Sequence, residues 1–290
     1  MSCIRPFDFG NLRLSNIKEM TKMNAGKNVK KVMFIAISIF IVNYLVMILG
    51  VVFKSQILAV LPNYYYRTFV IQFVQAVLAV AFIFIFHKTN VFKFNGKVLK
   101  EGFFCSLSLI ITYTLVMLLG FSNNSGKQLI STPEIICSVL NWLLIGVAEE
   151  GLFRGVVYEL FADIFGKASR KGVYLTISVS SVVFGLCHLT NLFAPGISVA
   201  AVMLQVVSAM AIGMVLCAIK FRAHGSIWPS IIVHALIDAS GFILGGVLWG
   251  GTEVDSVNGL DPRGILMIPI LIGLAVFLMR KDKTNELVQA

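Results

Sequence analysis

Apolar residues run along this chain in long blocks separated by short polar connections, with neither the alternation of strands nor the narrow stripe of a surface helix. Eight blocks are long enough, or nearly so, to cross about 30 Å of hydrocarbon as helices. They fall at 32–53, 68–86, 102–121, 135–165, 173–190, 197–219, 226–249 and 264–279. No soluble segment of domain size lies between them, and no internal repeat is evident. The pattern predicts an all-α, polytopic membrane protein. A tail over 1–31 precedes an eight-helix domain over 32–279, and a second tail covers 280–290.

Composition agrees. The chain is 58% hydrophobic and 13% charged, whereas soluble domains carry about 25% charged residues. Some thirty polar and basic residues precede the first apolar block. That block is therefore expected to be a span and not the core of a cleaved leader.

The net charge of +10 changes the picture only through its placement. Nineteen Lys and Arg fall in the N-terminal tail and in 87–101, 166–172, 220–225 and 280–290. The intervening connections hold only Lys54, Arg67, Lys127 and Arg263, and Arg154 lies inside a span. The positive-inside rule then puts both termini in the cytoplasm. The charge reads as topology, with no nucleic-acid partner implied, and the N-terminal tail gains some attraction to anionic lipid. Segment 9–23 fits either an amphipathic surface helix or a solvated tail. The acidic, Gly-rich stretch 250–263 reads as an outer loop. Gly241, Gly245, Gly246 and Gly250 just before and at its start give two GxxxG spacings, which predict close helix packing inside the bundle.

None of the five cysteines forms a CxxC pair, so buried free thiols are expected rather than a disulfide framework or zinc ribbon.

Against this apolar background, 147-VAEEGLFRG-155 stands out. An ionised side chain at mid-bilayer costs about 2.5–3.5 kcal/mol on insertion scales, and here three fall within six residues. Glu150 and Arg154 are four apart, share a helix face and can pair. Glu149 is turned about 100° away and cannot easily share that arginine. A carboxylate left unpaired in apolar surroundings is suited to act as a base near neutral pH. The fourth span also carries Glu159 and Asp163 towards its cytoplasmic end. The fifth ends on 184-FGLCH-188, placing a ring beside the imidazole of His188. The seventh holds 234-HALID-238, with His234 and Asp238 on one face. Three spans thus offer groups for a single polar pocket, while His87 and His224 fall in connections, where solvation is expected. Depths disagree, however. At 1.5 Å per residue His234 lies about 12 Å from the cytoplasmic end of its span and His188 about 23 Å.

These three motifs together resemble the CPBP (Abi) family of intramembrane endopeptidases, related to the type II CAAX prenyl protease. The family pattern is EExxxR, FxxxH and HxxxN or HxxxD on successive helices. Here it is carried by Glu149, Glu150 and Arg154, by Phe184 and His188, and by His234 and Asp238, in a core of about 134–245. The resemblance implies a peptidase in which Glu149 and His188 hold and deprotonate a water. His234 and Asp238 would stabilise the oxyanion, and Glu150 and Arg154 would support the site. Many members have Asn where this chain has Asp238. An ionised aspartate cannot donate to an oxyanion, so Asp238 is either protonated or orients His234; the second reading is preferred. No cofactor is expected. The alternative is one zinc on Glu149, His188, His234 and Asp238, although no HExxH is present.

The expected partners are the lipid bilayer and a membrane-associated peptide or protein substrate, in a cell membrane of bacterial type. The alternative function is a non-catalytic bacteriocin-immunity or sensor-regulating protein on the same scaffold. A proton-relay transporter is disfavoured by the absence of inverted repeats.

Overall fold

The computed structural model describes residues 30, 33, 52–194, 196–258 and 265–289. The chain divides into two units, Met1–Val46 and Met47–Ala290. Within the first only Lys30 and Met33 are described, both helical. Nearly all of the first predicted span and of the N-terminal tail, segment 9–23 included, lies outside the described residues.

Among the described residues the second unit is helical throughout, with no strand. A short α1 (Lys54–Val60) leads to α2 (Tyr64–Ile85) and α3 (Gly96–Asn123). A continuous rod follows: α4 (Thr132–Glu149), a π-helical stretch (Glu150–Val157) and α5 (Tyr158–Phe165). Next come α6 (Arg170–Cys187), which tightens into a 3-10 turn (His188–Phe193), α7 (Val199–Arg222) and α8 (Trp228–Leu244). The chain ends with α9 (Glu253–Asn258), α10 (Met267–Leu278) and α11 (Lys281–Gln289).

Among the described residues five helices are long and apolar enough to cross a membrane: Tyr64–Ile85, Gly96–Asn123, Thr132–Phe165, Arg170–Phe193 and Val199–Arg222. They coincide with the second to sixth predicted spans. The seventh and eighth appear as shorter apolar helices, α8 and α10. The helices begin where the sequence supplies an acceptor for their orphan N–H groups. Asn63, Asn95, Ser169 and Ser198 accept from backbone N–H groups, and Ser131 with Glu134 forms a capping box ahead of Pro133.

The rod Thr132–Phe165 and α7 are the central elements, with half or more of their apolar windows buried, against 17% for α2. The outer faces of α2 and α3 present Phe73, Phe84, Phe103, Phe104 and Leu115 as an exposed apolar belt, a surface that suits lipid. One core gathers Tyr158, Ile177, Val215, Leu216, Leu271 and Ala275 from α5, α6, α7 and α10. A smaller one joins Trp142 and Ile145 of α4 to Ile243 and Leu248.

Glycines bring the helices together, several of them outside the stretch that the GxxxG spacing selects. A Cβ at Gly146 would lie 2.8 Å from the carbonyl oxygen of Ile231, so α4 and α8 touch almost backbone to backbone. Gly120 of α3 meets the Ile243–Leu244 backbone as closely, and Gly185 of α6 meets Val206 of α7. By contrast Gly241 has nothing within 4 Å. Gly246 and Gly250 adopt left-handed conformations (φ 82° and 93°) and turn the chain out of α8. Gly245 does make the close approach expected of the cluster, since a Cβ there would lie 2.9 Å from the Ser256 backbone, while Gly246 and Gly250 serve to end the helix. The following loop is tied down by Tyr65 Oη donating to the Val247 carbonyl (3.1 Å), Ile130 N–H to Leu248 (3.0 Å) and Glu253 N–H to Tyr64 Oη (3.0 Å).

Two charged groups differ from expectation. Lys220, read as part of a connection, is fully buried in the last turn of α7. It pairs with Glu159 beneath the ring of Tyr158, 4.0 Å from its centroid. His224 is not freely solvated: its Nε2 lies 3.2 Å from Glu101. Asp163 pairs with Lys88 and Lys167. Of the cysteines, Cys105 and Cys217 are buried, while Cys137 and Cys187 are only half-buried; all four are free.

Candidate active site

The site is assembled where the central rod changes its pitch. Its π-helical stretch begins at Glu150 and contains Arg154. A π-turn inserts extra backbone into an α-helix and commonly marks functional positions. Gly151 and Gly155 let this wider segment lie against Ala79 and Ile83 of α2.

Glu150 and Arg154 pair as their spacing predicts, Oε1 to Nη1 at 2.9 Å, with both side chains almost wholly buried. The guanidinium also stacks over Phe184, 4.2 Å from the ring centroid, and donates from Nη2 to the Gly213 carbonyl at 3.4 Å. Two buried charges are tolerated when paired with further contacts of this kind.

Glu150 has a second partner. The Nδ1 of His234, on α8, reaches the same Oε1 at 2.7 Å. Glu150 therefore fixes the ring, a role the sequence reading gave to Asp238. With Nδ1 held, Nε2 points to the two remaining carboxylates, Glu149 Oε2 at 3.4 Å and Asp238 Oδ2 at 3.6 Å. Both separations exceed a good hydrogen bond, and neither oxygen has a hydrogen-bond partner. Glu149 is 33% exposed and Asp238 20%, against 5% for His234. Two acidic groups at a rim thus converge on one imidazole nitrogen set deeper.

His188 stands where α6 tightens into the 3-10 turn. Its Nδ1 lies 3.1 Å from the Phe184 carbonyl, which can only accept, so the proton sits there and Nε2 keeps a free lone pair. The Phe184 ring meets His188 and His234 edge-on, at 5.1 and 5.9 Å between centroids. Both imidazoles thus border one ring, and the two helices must differ in tilt or starting level. This answers the disagreement of depths. Among the described residues no three His, Cys, Asp or Glu are arranged to hold one metal ion. Nδ1 of both histidines is engaged by an oxygen, so Nε2 is the nitrogen each can offer to a substrate, a water or a metal.

Sequence reasoning missed several contributors. Phe184 was read only as a neighbour of His188, although it also supports Arg154. Gly213 had no signal at all. Outside the apolar helices, Glu253 at the start of α9 is close enough to Asp238 to act on it through charge. Burial raises its carboxyl above the ordinary range, against a hydrogen bond from Asn141.

Residues 131–240 match the family model described as type II CAAX prenyl endopeptidase Rce1-like. None of the curated proteins and none of the solved structures compared with the chain matches it. The matched segment holds Glu149, Glu150, Arg154, Phe184, His188, His234 and Asp238, and over those residues the chain is similar to the CAAX prenyl endopeptidases.

Proposed function

We propose that the protein is an intramembrane peptidase that hydrolyses membrane-associated peptides or proteins with a water activated by Glu149. The observation that carries this reading is the convergence of unpartnered Glu149 Oε2 on His234 Nε2, while Arg154 and His234 Nδ1 take up the charge of Glu150. Glu149 removes a proton from the water, whose oxygen attacks the scissile carbonyl carbon. His188 orients that water by accepting its other hydrogen at Nε2, the nitrogen left free by the Phe184 carbonyl. The tetrahedral oxyanion is met by His234, which as imidazolium donates from Nε2 while Nδ1–H stays on Glu150. Preorganised donors of this kind are commonly the largest catalytic contribution. Collapse breaks the C–N bond, and protonated Glu149 returns its proton to the leaving amine. Asp238 holds the imidazolium from the rim through charge. No step is routed through a metal.

The test is cleavage of fluorogenic membrane-peptide libraries by detergent-purified protein, comparing wild type, Glu149→Gln and His188→Ala, each with and without a chelator. Loss of a general base costs about 10²–10⁴-fold, so Glu149→Gln should fall by that factor and chelation should leave wild type unchanged. Full cleavage by Glu149→Gln would remove the proposal and favour a non-catalytic role. Loss on chelation would return the choice to zinc.

A further inference from the structure

A second site lies away from the carboxylates, at one end of a membrane-spanning helix and of a shorter apolar helix. The first turn of α6 and the start of α11, just past the end of α10, border a groove of ≈ 500 Å³ lined by Arg170, Lys171, Tyr174, Leu175, Ser178 and Lys281. Among the described residues three cations line it and no acidic residue does. Several other basic residues at this end of the molecule are neutralised: Lys167 and Lys88 pair with Glu159 and Asp163, Lys220 with Glu159 and Arg280 with Asp282. Arg170, Lys171 and Lys281 have no carboxylate partner among the described residues. Arg170 only lies over the ring of Tyr174, 5.5 Å from its centroid.

Like charges brought together without counter-charge repel, and an anion placed among them relieves that cost. The groove is also held in shape. The Tyr174 hydroxyl donates to the Met279 carbonyl at 2.6 Å, and Thr284 Oγ1 donates to the same carbonyl at 2.7 Å, fastening α11 against α6. Ser178 adds a hydroxyl further along the groove. Leu175, 39% exposed, gives it an apolar wall continuous with the lipid-facing side of α6. The rim is therefore cationic and the wall beneath it oily, at the level where the polar and apolar parts of the two helices meet. The charge asymmetry of the connections places this end at the cytoplasmic leaflet, the anionic one.

We propose that this groove binds the phosphate headgroup of an anionic phospholipid, with an acyl chain running down along Leu175. Arg170, Lys171 and Lys281 surround the phosphate, and Ser178 donates to its ester oxygens. The bound lipid fastens α11 to α6 and neutralises the three cations.

The test uses the full-length protein in mixed micelles of detergent with phosphatidylcholine or phosphatidylglycerol at equal total lipid, reading the thermal midpoint. Phosphatidylglycerol should raise the midpoint by about 3 °C or more over phosphatidylcholine. The increment should fade as NaCl rises from about 0.05 to about 0.5 M. The basic N-terminal tail also responds to anionic lipid, so the decisive reading is the variant. Arg170→Gln/Lys171→Gln/Lys281→Gln should lose at least half of the increment while keeping the wild-type midpoint in phosphatidylcholine. If the triple variant does not fold, Lys281→Gln, whose side chain is exposed, makes the same comparison with a smaller loss. A variant that responds as wild type does would overturn the proposal. So would an equal rise in phosphatidylcholine, or a rise from inorganic phosphate alone, which would show that no lipid is required.

Discussion

Glu149 and Glu150 are neighbours in sequence with opposite fates. One peptide of rotation sends Glu150 into a fully buried pair with Arg154 and His234, and leaves Glu149 at the rim. The division was legible from spacing alone, because four residues bring side chains onto one face and one residue does not. Glu150 as the anchor of His234 was not legible, because no local spacing links residues on separate helices. Glu150→Ala should cost about 3–5 kcal/mol in thermal unfolding, since it strands a buried guanidinium. Glu149→Gln, which removes no hydrogen bond, should stay within about 0.5 kcal/mol of wild type. Equal destabilisation by the two would show that they do not divide structure from chemistry in this way.

At the scale of elements, five of the eight expected spans are helices long and apolar enough to cross a membrane and two more are shorter apolar helices, because burial in lipid leaves long uninterrupted apolar runs. What hydropathy missed was local geometry. The π-helical stretch and the 3-10 turn are set by what packs against them, and α, π and 3-10 turns carry no distinct apolar period over eight residues. Lys220 was placed wrongly for a related reason. A charge at the end of an apolar block reads as part of the connection, and only the neighbouring Glu159 makes its burial tolerable. Gly146 is where helix packing and site meet, since it sets the distance between the helix of the glutamates and that of His234. Gly146→Ala should cost about 1–3 kcal/mol through overcrowding and lower peptide cleavage by moving Glu149 from His234. Gly96→Ala, where a Cβ would meet nothing within 4 Å, is the matched control. A Gly146→Ala protein with wild-type cleavage would show that this contact does not set the site.

For the whole molecule, the arrangement of charge predicts a sidedness that can be measured. In a cysteine-free background, Ser125→Cys should react with a membrane-impermeant thiol reagent added outside intact cells. Ala168→Cys should react only after the membrane is opened. Both positions are exposed, so accessibility in the folded protein does not limit either. The reverse pattern would invert the molecule and place the basic groove in the other leaflet.

Phe184 carries a consequence of its own. One benzyl side chain lies under a guanidinium and edge-on to two imidazoles, so three polar groups from three helices take their positions from a single hydrocarbon surface. That position behaves as a shared gauge. A slimmer residue would let all three drift together, and no compensating change at any one of them could restore the other two.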